Sequence, residues 1–187
     1  MNIYKMGLAL AGLLCLTLTP TLNADVWNQK TKVTFSEPVQ LPGEVLPAGT
    51  YTFSLLGSKS NRNIVRISNA DGTETYATIL AIADKRVKPT GETVIKFSET
   101  PPGDPMALRA WFFPGDVYGH EFVYPHDEAV KLAKANNQSV MSTSSDLTPY
   151  MKEQFKSEKD RDAKTMKNAP VKSVQPTGQE SDIHVRQ

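Results

Sequence analysis

Along the chain the apolar residues recur mostly at every second position, the period of half-buried strands rather than of helices. The cleanest instance is Thr50 to Leu56, where Tyr51, Phe53 and Leu55 share one face and Thr50, Thr52 and Ser54 the other. Lys32 to Phe35, Val39 to Leu41, Ile64 to Ser68 and Thr93 to Ser98 read the same way, each bounded by turn residues. Thr73 to Ala83 is apolar or small on both faces over its second half, which predicts a central strand covered on both sides. Ala107 to Tyr124, ALRAWFFPGDVYGHEFVY, is the densest aromatic run beyond the N-terminal stretch. It reads as two strands about a Pro114-Gly115-Asp116 turn, with Leu108, Ala110 and Phe112 on one face and Arg109, Trp111 and Phe113 on the other.

Turn chemistry punctuates these strands. Leu41-Pro42-Gly43-Glu44 suits a type II turn, with glycine where φ must be positive, and Asn69-Ala70-Asp71-Gly72 suits a type I turn with Gly72 left-handed, closing a hairpin. Thr100 to Pro105 holds three prolines and predicts a crossing loop. After Pro125 the period changes: Asp127 and Glu128 occupy a first turn, Ala129, Leu132 and Ala133 form a narrow apolar stripe, and Asn136-Asn137 ends the helix. The fold class that follows is mainly β: an antiparallel sandwich or small barrel of about eight strands, with one C-terminal helix and a flexible tail.

Domain limits follow from composition. Residues 1–24 have the layout of a signal peptide: Lys5, an apolar run from Met6 to Leu18, and Ala24 before the expected cut. That run is too short to span a bilayer and Pro20 interrupts it, so no transmembrane segment is expected after signal removal. The β domain with its closing helix takes 25–137. Residues 138–187 turn to Ser, Thr, Lys, Glu and Pro and read as a polar tail, disordered or partly helical; Thr148-Pro149 could open a charged helix to Lys167. The single cysteine, Cys15, falls in the leader, so the exported domain must be held by packing and not by disulfides.

The 21 Lys and Arg against 20 Asp and Glu leave a net charge of +1, which Lys5 alone accounts for, and this balance argues against nucleic acid as a partner. The runs LPAGTY (Leu46 to Tyr51), NADGTETYATILAI (Asn69 to Ile82), KPTGETVI (Lys88 to Ile95) and ALRAWFFPGD with GHEFVYP (Ala107 to Pro125) resemble an uncharacterised family of small exported bacterial β-proteins. The resemblance covers roughly Val33 to Asn137 and implies export to the periplasm or the outside of the cell, but no activity and no catalytic residue.

Candidate chemistry is thin. There is no Gly-x-Ser-x-Gly elbow and no phosphate-cradling glycine loop. Trp111, Arg109, Phe113, Tyr118 and Tyr124 form the candidate ligand-binding set, because exposed aromatics on a rigid sheet stack on sugar rings or anchor a protein. Lys85, Arg86 and Lys88, with Arg62 and Arg66 as candidate neighbours, make a second, basic candidate that could meet an anionic polysaccharide or lipid headgroup. His120 and His126, with Asp116, Glu121, Asp127 and Glu128 nearby, are the only grouping that could serve a metal-dependent enzyme or small hydrolase. Strand parity opposes it, since His120 and Glu121 should face opposite ways. The sequence therefore favours a non-enzymatic exported module, without cofactor, that binds an envelope protein or polysaccharide.

Overall fold

The computed structural model describes residues 29–57, 62–153, 155 and 159–183, so the leader-like segment lies outside the described residues. A nine-stranded sheet contains β1 (Lys30–Phe35), β2 (Val39–Leu41), β3 (Glu44–Leu46), β4 (Gly49–Leu56), β5 (Arg62–Asn69), β6 (Thr75–Lys85), β7 (Val94–Ser98), β8 (Ala107–Phe112) and β9 (Tyr118–Phe122). A second sheet of four short strands comprises β10 (Tyr124–Pro125), β11 (Val140–Thr143), β12 (Lys172–Val174) and β13 (Glu180–Asp182). The described residues also form two helices, α1 (His126–Asn136) and α2 (Arg161–Lys167), with a 3-10 turn at Thr148–Tyr150.

The large sheet runs β1-β4-β5-β6-β9-β8-β2-β3, with β7 on β8; its pairs are antiparallel except for a parallel contact of β2 with β8. It folds over on itself, because Trp111 on β8 donates its indole N–H to Thr31 on β1 at 3.1 Å and packs 6.0 Å from Phe53 on β4. Among the described residues no ladder joins β1 to β7, so the small closed barrel that the sequence left open does not form. The inner face holds the main core, including Phe53, Val65, Ile67, Ile79, Leu108, Trp111 and Phe122. The predicted turns are in place: Gly43 and Gly72 take φ of 80° and 82°, and Asn137 ends α1 at φ 53°. The α1 stripe, Ala129, Leu132 and Ala133, is buried as expected.

Two expectations are corrected. Strict alternation does not hold through β8: opposite β7, Lys96 pairs with Ala110 and Phe97 with Leu108, leaving Arg109 as the extra residue of a bulge. The bulge brings Leu108 and Trp111, three apart, to the same inner face and turns Arg109 outward onto Glu121. The second correction concerns 138–187, expected to be a polar, flexible tail. Its described residues instead form β11, β12, β13, the 3-10 turn and α2, and Phe155, Ala163, Met166, Ala169 and Val171 are buried against Ile64, Leu80 and Ile82. This segment is the cover that the outer face of β5 and β6 requires. Thr78 Oγ1 donates to the Glu153 carbonyl at 2.9 Å, and the guanidiniums of Arg62 and Arg66 donate to carbonyls of Ala169 and Phe155. Apolar residues spaced that sparsely among lysines and acids carry little period of their own, which is why composition alone suggested a solvated tail.

Candidate functional site

The aromatic set does not form one surface. Trp111 is fully buried, and Tyr124 is buried with its hydroxyl donating to the Leu108 carbonyl at 2.7 Å, where desolvation holds its phenol well above the usual range. Phe113 packs partly buried against the core. Arg109 donates to Glu121 at 3.2 Å and to Gln138. Tyr118 stands apart, 52% exposed at the start of β9.

The histidines are separated as well. His120 lies on the inner face of β9, 3% exposed, with its ring 5.3 Å from that of Trp111. Its Nε2 is 2.8 Å from Gln29 Oε1, while the Gln29 amide donates to Asp116. Since the amide nitrogen serves Asp116, the Gln29 oxygen must accept, and this fixes the proton of His120 on Nε2. Asp116 and His120 are thus linked, but through a buried glutamine and with the imidazole out of reach of any substrate. His126 sits at the start of α1, its Nδ1 2.9 Å from Glu180 of β13. Among the described residues no three His, Cys, Asp or Glu side chains gather as metal ligands. Glu121 points away from His120, as parity predicts, and joins Arg109 on the outer face. Burial raises its carboxyl above the ordinary range, and Arg109 partly opposes this.

What the fold does assemble is a cationic, aromatic rim where β6 leaves the sheet beside the β8–β9 turn. Lys85 is the ladder partner of Tyr118, and its ammonium lies 5.6 Å from the centre of that ring. Arg86 fastens the two loops: its backbone N–H donates to Val117 O at 2.9 Å, its Nε to Asp116 O at 2.8 Å and its Nη1 to Thr90 Oγ1 at 3.0 Å. The same guanidinium covers the Phe112 ring at 5.1 Å, with Lys96 at 4.6 Å. Gly119 makes room for that ring, since a Cβ there would sit 2.5 Å from it. Val87, 95% exposed, and Lys88 project from the tip. The basic candidate and one member of the aromatic candidate are therefore a single surface. Lys85 and Tyr118 stand far apart in the sequence, and only the β6–β9 register brings them together.

No protein-family model matches the chain, and no curated protein or solved structure shows significant similarity to it. Among the described residues no helix is long and apolar enough to cross a membrane.

Proposed function

We propose that the chain is an exported, non-enzymatic, sandwich-like β-module of the cell envelope or its exterior that binds an anionic polymer on the rim of Lys85, Arg86, Lys88 and Tyr118. The observation that carries this reading is the stacking of Lys85 on an exposed Tyr118, a flat ring for a sugar face next to cations for its acidic groups. Arg86 supports it by fixing both loops before any ligand arrives, which reduces the ordering cost of binding. Burial of His120 and its separation from Glu121 and His126 weigh against the metal-dependent or hydrolytic alternative. Export rests on the leader-like run from Met6 to Leu18.

The test is titration with dextran sulfate, with neutral dextran as the control. Binding of the sulfated polymer alone, weakening as salt rises, is expected. Tyr118→Ala should loosen it by about fivefold through loss of stacking, and Lys85→Ala with Lys88→Ala should flatten the salt dependence. Equal affinity of these variants and the parent would remove the rim from consideration.

A further inference from the structure

β9 pairs with β6 only from Ala81 to Lys85, so the first half of β6 lacks a strand neighbour on that side. The chain covers the gap with isolated contacts. Val123 N–H donates to Leu80 O at 3.0 Å, and Thr78 N–H is taken by Met151 O. Pro42 and Pro125, which have no N–H to offer, stand on the same wall. Between these contacts lies a cavity of about 70 Å³ whose apolar wall includes Leu80, Val123, Leu147, Met151 and Met166. It shares Ser145, Asp146 and Leu147 with a shallow outer basin of about 390 Å³.

The two compartments differ in chemistry. The inner one is bounded mainly by aliphatic side chains and two methionines, which adapt readily to the shape of a guest. The outer one adds Tyr150, Thr165 and Asn168, all neutral. Among the described residues Asp146 is the single charged one lining either compartment, with no Lys, Arg or His beside it. The hydroxyl and backbone N–H of Thr148 hold its carboxyl below the usual range, so it stays ionised. A largely apolar cavity with one carboxylate at its mouth is complementary to a cation with a hydrocarbon end and repels an anion with the same tail.

We propose that the cavity and basin together form a binding site for a short-chain alkylammonium, with the alkyl chain among Leu80, Val123 and Met166 and the ammonium against Asp146. By comparison with an apolar cavity of about 150 Å³ that holds benzene, the inner compartment takes about three carbons. Chain length is therefore a specificity determinant, and the site is independent of the rim.

The experiment uses the full chain labelled at its methionine methyls and titrated with n-alkylammonium ions from ethyl to hexyl, with the matching alcohols and alkanoates. The Met151 and Met166 methyl signals should move while that of the exposed Met106 stays in place. Each methylene should tighten binding about fourfold until about three carbons are buried, with no gain beyond. Alkylammonium ions should bind at least about tenfold more tightly than alkanoates of equal length. Asp146→Asn, an exposed and conservative change, should abolish the preference for ammonium over alcohol while leaving alcohol binding intact. Immobile Met151 and Met166 methyls throughout the series, alkanoates binding as well as ammonium ions, or an unchanged preference in Asp146→Asn would each overturn the assignment.

Discussion

Trp111 is held by three kinds of contact at once: ring packing with Phe53 and His120, a hydrogen bond to Thr31, and complete exclusion from water. A large side chain in that position carries much of the core's stability, and Trp111→Ala should cost about 3–5 kcal/mol in urea denaturation. With Trp27 replaced by Phe, its emission should be blue-shifted and poorly quenched by acrylamide; a red-shifted, quenchable signal would contradict the burial. Glu121 offers a second single-residue test. Burial raises its carboxyl in the folded state above the value it has in the unfolded chain, with Arg109 opposing and Asp84 reinforcing. Folding therefore favours the protonated form, and this contribution is complete below the unfolded pKa and is lost as pH rises through the folded one. Glu121→Gln removes this contribution, so the stability of the parent relative to the variant should fall as pH rises from the unfolded pKa through the folded one and level off beyond it. A difference independent of pH, or one that grows with pH, would place the shift in the opposite direction.

β8 and β9 show how one extra residue and one missing side chain fix a hairpin. The bulge at Arg109 turns Trp111 inward, and the bare Cα of Gly119 admits the Phe112 ring on the opposite face. Gly119→Ala places a methyl group inside that ring's space and should destabilise the fold by about 1–3 kcal/mol, seen as a lower denaturation midpoint with unchanged slope. Much of the architecture at this level is legible in the sequence. β4 announces itself by alternation, the β5–β6 hairpin by Asn69 to Gly72, and α1 by its acidic first turn and its Ala129, Leu132, Ala133 stripe. The bulge is not legible, because ALRAWFF alternates equally well in either parity; only pairing with β7 shows which residue is surplus. The candidate site is legible in pieces for the same reason. Tyr118 and Lys85 are each noticeable in the sequence, but their adjacency is a property of register, while Trp111 and Tyr124 are aromatic for the core and not for a ligand.

For the molecule as a whole, the decisive relation is between β6 and the segment after α1. Thr78, Leu80 and Ile82 face away from the main core, and a strand so apolar on both sides cannot remain stable with one side wet. The described residues between 140 and 183 supply the second layer, and Phe155 is 5% exposed within it. The polar composition of that region reflects its own outer surface, so it takes the demand from β6 to reveal a cover rather than a tail. Two experiments separate these descriptions. Phe155→Ala should cost about 3–5 kcal/mol if the residue is core, whereas a substitution in a solvated tail is nearly neutral. Ending the chain at Asn137 should expose Ile64, Leu80 and Ile82 together and also remove β11 and β12, whose Val140 and Val174 pack into the main core with α1. The shortened chain should bind a hydrophobic dye and lose its single cooperative transition, while the full chain unfolds as one unit. A shortened chain with the parent's midpoint and no dye binding would mean that the β domain is complete without its second layer, and that the apolar outer face of β6 needs another explanation.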